Sequence, residues 1–209
     1  MKKAVVVLAL IVLLGAVGVV VFWHRTDDPE YILSETLAMG GYDRYDDLIL
    51  QASQRYGVPP ELIKAVIWRE SRFRSDKIGS QGERGLMQIM EPAAEDWAKA
   101  EKMEAFVPTD LFDPKVNIEA GTWYLNRALS HWKEKVDPVS FALAEYNAGR
   151  GRVKRWVKDS GQGETAQAED LQTAMDFPGT KSYVAVIRAR ADYYKAHQEF
   201  TPATPSPTP

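Results

Sequence analysis

The sequence predicts an all-α protein, a compact orthogonal helix bundle that follows an N-terminal transmembrane helix. Three observations carry this expectation. Apolar residues recur at helical spacing through most of the chain, and no clear period-two alternation occurs outside the first apolar run. Proline-led start signals open successive segments at Pro59-Pro60, Asp113-Pro114 and Asp137-Pro138. An unbroken apolar stretch of 20 residues, Ala4 to Trp23, follows Lys2 and Lys3. As a helix it would span ~30 Å, about one hydrocarbon core.

Positive residues ahead of that stretch favour a cytoplasmic N-terminus with the remainder exported. A cleaved signal segment is the competing reading, since Ala16-Val17-Gly18 places small residues at a cleavage spacing. The run continues unbroken to Trp23, longer than a usual signal core, which favours residues 4–23 as an anchor in the inner membrane. Residues 24–41 read as a polar tether ended by Gly40-Gly41. A domain over residues 42–200 follows. Residues 201–209, TPATPSPTP, are a Pro/Thr tail with nothing to bury, expected to be disordered.

Within the domain, Tyr45, Leu48, Ile49, Ala52 and Tyr56 mark an amphipathic helix that Gly57 can cap. Pro59 and Pro60 start the next, because proline fixes φ and its missing N–H is not needed in a first turn. Ile63, Val66, Ile67 and Glu70 then fall at i, i+3, i+4 and i+7. Glu70 therefore shares a stripe with three aliphatic residues, on the face away from Lys64, which is expected to be wet. Gly79, Gly82 and Gly85 permit tight turns beyond it. Pro92 opens a helix through Trp97 and Ala100. Asp113-Pro114 starts one carrying Ile118, Gly121, Leu125, Ala128, Leu129 and Trp132 on one side, where Gly121 suggests close packing. Asp137-Pro138 starts a helix that Gly149 stops. Val153, Trp156 and Val157 mark a short helix, Gly161 to Asp170 a loop, and Val184, Ile187, Ala191 and Tyr194 a last helix over about 181–198.

The chain has 209 residues, no cysteine and a net charge of −3. Without cysteine there is no disulfide framework, thiolate metal site or cysteine nucleophile. Setting aside Lys2 and Lys3, 24 basic residues face 29 acidic ones, so the exported part is acidic and no Lys/Arg cluster points to nucleic acid. The residue that stands out is Glu70. A carboxylate on an apolar stripe is partly desolvated, which raises its pKa and lets it hold a proton near neutral pH. The plain alternative is a helix-end ion pair with Arg69, Arg72 or Arg74.

Glu70-Ser71-Arg72-Phe73 and the run from Gly79 to Met90, ending GERGLMQIM, resemble the soluble lytic transglycosylase catalytic domain, related to goose-type lysozymes. Asn117-Ile118 with Gly121 and Tyr124-Leu125, then Ala142 to Gly149, match in order, and Thr180 with Tyr183-Val184 match more weakly. The resemblance spans roughly residues 45–198. It implies a lysozyme-like domain whose small β-element is reduced to the loop after Glu70.

It further implies a peptidoglycan lytic transglycosylase of the bacterial cell envelope, with its domain in the periplasm. Glu70 would protonate the oxygen between N-acetylmuramic acid and N-acetylglucosamine. It would then take the muramyl C6 hydroxyl proton as that hydroxyl closes onto C1, giving a 1,6-anhydro end without water. Peptidoglycan glycan strands are the implied partner, and no cofactor or metal is implied. By the same resemblance Gln88 and Met90 line the cleft and Gly85 lets backbone approach the sugar. The Tyr146 hydroxyl points at the catalytic carboxyl, Asn147 fixes that turn, and Tyr183 is a cleft tyrosine.

Tyr146 can equally be a buried tyrosine that satisfies a carbonyl. Asp76 and Glu83 match no family catalytic residue and read as solvated loop charges. The chain departs from the family where Gly79 replaces a serine, with Ser80 next door as its substitute. Glu91 displaces a proline after Met90, and Gly179 stands for a glutamate. A hydrolytic muramidase on the same fold, or a non-catalytic wall-binding domain tethered to the membrane, are the alternatives.

Overall fold

The computed structural model describes residues 41–197 together with Leu37 and Phe200. The chain divides into two units, Met1–Asp43 and Arg44–Pro209. Among the described residues of the second unit are eight helices and no strand. They are α1 (Asp46–Tyr56), α2 (Pro60–Ser71), α3 (Glu91–Ala100), α4 (Pro114–His131), α5 (Pro138–Ala148), α6 (Arg150–Asp159), α7 (Ala168–Ala174) and α8 (Pro178–Ala196). Short 3₁₀ turns cover Pro108–Phe112 and Gly163–Thr165. The expected membrane helix, most of the tether and the Pro/Thr tail lie outside the described residues. No described helix is long and apolar enough to cross a membrane.

The punctuation acts as the residues demand. Pro60, Pro114 and Pro138 each occupy the first helical turn. Asp113 accepts the Lys115 and Val116 N–H groups at 2.9 and 3.0 Å, satisfying donors that no helical carbonyl reaches. Gly57 closes α1 in the left-handed region at φ 70°. Gly121 sits where a Cβ would run into the Met87 side chain, which accounts for a helix-weakening residue in the middle of α4.

Helices α2 and α5 form the centre. α2 packs on α1 and α8, and α5 on α4, α6 and α8. Every residue from Leu62 to Trp68 is buried, as is Phe141 to Ala144. A helix enclosed on all sides has no wet face, and this corrects the expectation for Lys64, which is fully buried. Its ammonium is compensated by Asp46 of α1 at 3.1 Å, with the Tyr194 ring of α8 at 5.3 Å.

Two other boundaries differ. The expected loop from Gly161 to Asp170 contains a 3₁₀ turn and runs into α7. Only Leu171 of α7 is buried, so there was no apolar stripe to read, and its start rests on the Gln167 N–H donating to Asp170 at 2.9 Å. α8 begins at Pro178 rather than near Lys181, because Pro178 serves as its first-turn proline. The β-element expected after Glu70 is present only as two isolated bridges, Ile78 with Arg84 and Arg84 with Ile89.

Candidate active site

Glu70 is the second-last residue of α2, and the chain reverses directly behind it. Arg72 and Phe73 take φ values of 54° and 60°, a left-handed pair that costs side-chain-bearing residues energy. The turn is held by what surrounds it. Phe73 is fully buried, the Arg44 guanidinium donates to its carbonyl, and Lys77 Nζ donates to the Glu70 carbonyl. The loop then folds on itself. Gly85 N–H donates to Lys77 O at 2.9 Å, Gly79 N–H to Glu83 O at 2.8 Å, and Arg84 and Ile89 exchange two bonds at 3.0 Å. Gly85 has φ 76° and its missing Cβ leaves room for the Asn117 amide and the Leu111 carbonyl.

Asn117 clamps this loop to α4. Fully buried, it accepts the Met87 N–H at 2.7 Å and donates to Arg84 O and Leu111 O, both at 2.8 Å. Its place in the matched Asn117-Ile118 pair was legible, while its function as the clamp was not. An amide on the stripe of Gly121 and Leu125 was the available signal.

The carboxyl of Glu70 meets Tyr183 of α8, whose hydroxyl donates to Oε1 at 2.7 Å. Among the described residues no cation forms an ion pair with it, so the helix-end pair with Arg69, Arg72 or Arg74 is not formed. Loss of hydration is the largest influence and pushes the carboxyl up to about 7. The Tyr183 hydrogen bond and the charges of Lys77 and Arg69 pull the other way, and Glu83 adds to the rise.

Tyr146 corrects one expectation. Its hydroxyl donates to Met87 O at 2.9 Å, satisfying a backbone carbonyl, and its ring stands edge-on to Tyr124 at 5.4 Å. The hydroxyl bonded to Glu70 is that of Tyr183. Burial, with Glu70 nearby, pushes both phenols well above their ordinary value, so both remain proton donors.

Asn147 Oδ1 accepts the Thr180 hydroxyl at 2.7 Å, tying the end of α5 to the start of α8. Gln88, at φ 48°, spends its amide N–H groups on Lys77 O and Gly85 O at 3.2 and 2.9 Å. Met90 is 40% exposed at the loop's end while Leu86 and Met87 are fully buried. Ser80 is exposed at the turn.

The space a side chain at Gly79 would take is filled by the Glu83 carboxylate rather than by Ser80. Glu83 is half-buried and accepts the Gln81 N–H at 2.9 Å, so it is not the solvated loop charge expected. Replacing it with glutamine removes a negative charge that favours protonated Glu70. The Glu70 carboxyl is therefore expected to lose its proton at lower pH, which would draw in the alkaline limb of any activity that needs the protonated acid. A pH–rate profile of Glu83→Gln with an unmoved limb would refute the coupling.

Compared with known proteins, residues 47–168 match the family described as the Transglycosylase SLT domain. The chain is 30% identical over 152 residues to the soluble lytic murein transglycosylase of Escherichia coli (strain K12), covering 72% of this chain and 23% of that one. It is 36% identical over 114 residues to the membrane-bound lytic murein transglycosylase F of Desulfosudis oleivorans, covering 53% of this chain and 23% of that one. The solved complex of a 70-kDa soluble lytic transglycosylase with bulgecin A superposes with a TM-score of 0.69 at 28% identity, over 79% of this chain and 26% of that one. The chain thus spans about a quarter of the length of these relatives.

Proposed function

Because the chain belongs to the transglycosylase SLT domain family, we propose that it is a peptidoglycan lytic transglycosylase in which Glu70 acts first as acid and then as base. The bond cleaved is the β-1,4 link between N-acetylmuramic acid and N-acetylglucosamine. The observation that carries this reading is a carboxyl pushed to about 7 with one oxygen bonded to Tyr183. Since Oε1 accepts the Tyr183 hydroxyl, the acidic proton rides on Oε2. It passes to the glycosidic oxygen as the C1–O bond breaks, and the substrate's own N-acetyl oxygen supports the cationic C1. Glu70, now a carboxylate stabilised by the Tyr183 donor, takes the C6 hydroxyl proton while O6 closes onto C1. A group poised near the working pH is suited to both transfers.

Gln88, Met90, Gly85 and Ser80 are assigned to the glycan, Met90 and Ser80 from exposed positions. Tyr146 and Asn147 shape the site through Met87 and Thr180. The bundle is read as lysozyme-like, with residues 42–200 as the catalytic unit. Residues 4–23 would tie it to the inner membrane, in keeping with relatives named as membrane-bound. Mass spectrometry of digested peptidoglycan tests the reaction. The expected muropeptides carry a 1,6-anhydro end, and products heavier by one water would make the enzyme a hydrolase instead.

Tyr183→Phe removes a hydrogen bond that lowers the Glu70 pKa. Its alkaline limb is expected to move to higher pH, opposite to Glu83→Gln, with kcat lower by about tenfold from the loss of one charge-assisted hydrogen bond. An unchanged profile and rate would reduce Tyr183 to a packing residue.

A further inference from the structure

Beside Tyr146 on α5, Glu145 turns away to the end of α4, where a cavity of about 720 Å³ lies between α4, α6 and the turn at residues 161–164. No step of the proposed reaction uses these residues. Glu145 is 3% exposed and both its oxygens are engaged, Oε1 with His131 Nδ1 and Oε2 with the Trp132 Nε1–H, each at 2.7 Å. A buried carboxylate is costly unless it is paired, and this one holds two residues of the cavity wall. On the rim, Lys135 Nζ donates to Gly163 O at 3.3 Å and to Glu164 O, fixing the turn. The walls are therefore built rather than left to solvent.

The facing wall is cationic. α6 carries Arg150, Lys154 and Lys158 at i, i+4 and i+8, one face of the helix, over about 12 Å at 1.5 Å per residue. Among the described residues no carboxylate lies within ion-pair distance of these three, whereas Arg155 on the same helix pairs with Asp176 at 3.2 Å and Arg152 covers the Phe177 ring at 4.9 Å. The chain as a whole is acidic, at −3, so this concentration of unpaired cations around a cavity is local. Two acids, Glu134 and Glu164, interrupt the lining, and Trp132 and Val157 add apolar surface.

We propose that this cavity binds a short zwitterionic peptide segment, with its carboxylates on Arg150, Lys154 and Lys158 and its ammonium group beside Glu134 and Glu164. The two acids argue against a uniformly anionic polymer, which they would repel. Taking the segment to be a peptide that branches from the wall glycan rests on the function proposed above, while the zwitterion preference rests on the cavity alone.

The test is calorimetric titration of the full-length chain in detergent micelles with a synthetic wall-stem tetrapeptide bearing free carboxylates and one free amine. Saturable binding is expected to weaken about tenfold in Lys154→Gln/Lys158→Gln, on the order of 1.4 kcal/mol. Arg152→Gln/Arg155→Gln, equal in charge removed, is expected to bind within about twofold of the parent, and the fully amidated peptide to lose affinity. No saturable binding, an equal loss in both double variants, or poly(glycerol phosphate) binding as tightly would overturn the proposal. The two readings separate cleanly. Peptide binding by a chain that forms no anhydro product would sink the function and spare the site; normal cleavage of stem-free glycan without peptide binding would do the reverse.

Discussion

Glu70→Gln is expected to lower turnover on peptidoglycan by ~10³-fold or more, within the range that one general acid and base supplies. Glutamine keeps the shape and can still accept the Tyr183 hydroxyl, so the helical circular dichroism spectrum and glycan binding should survive. The same change carries a second, independent reading. Glu70 has a folded pKa of about 7 against an ordinary 4.5. The folded state therefore holds that proton more tightly than the unfolded state does. The stabilisation it confers is fully present below about 4.5 and is lost as pH rises through about 7, a drop on the order of 3 kcal/mol. Glutamine does not titrate. Thermal melts should find the variant more stable relative to the parent at pH 8 than at pH 4. Retained activity would reject the assignment of Glu70, and a stability difference identical at both pH values would reject its desolvation.

That double consequence follows from a position readable without coordinates, the i, i+3, i+4, i+7 stripe that ends on Glu70. Much of the fold was readable for a related reason. Pro60, Pro114 and Pro138 act through their own backbone chemistry, which needs no tertiary partner. The readings that failed depend on partners distant in sequence. Lys64 has ordinary polar character, and only the packing of α1 and α8 on α2 encloses it. Tyr146 and Tyr183 were both legible as tyrosines of matched motifs. Which of them reaches Glu70 is decided by how α8 lies against α2, across 113 positions of chain. Glycine at position 79 was visible as a departure, but that the Glu83 carboxylate fills its space depends on how the loop closes. α7 escaped because a helix with one buried side chain has no periodicity to detect.

The same distinction gives Asn117 its weight. Asn117→Ala is expected to cost roughly 2–5 kcal/mol, since it leaves the buried Met87 N–H and the Leu111 carbonyl without this partner at about 1–3 kcal/mol for each group left unsatisfied, while the Arg84 carbonyl keeps the Ile89 N–H. Against a typical total of about 5–15 kcal/mol this is a large fraction of stability. Aspartate should serve little better. It can accept from Met87, but its second oxygen would face two carbonyl oxygens that now receive a donor, and only an amide offers both signs. The loss should also reach the chemistry. Met87 is held by Asn117 at its N–H and by Tyr146 at its carbonyl, so freeing it loosens the loop that carries Gln88 and Met90. Turnover is then expected to fall while the alkaline limb stays in place, because the partners of the Glu70 carboxyl are untouched. Urea unfolding and a pH–rate profile on the same variant separate the two effects. A parent-like urea midpoint would mean that the loop is held by something other than this amide, and a shifted limb would mean that Asn117 acts on Glu70 itself.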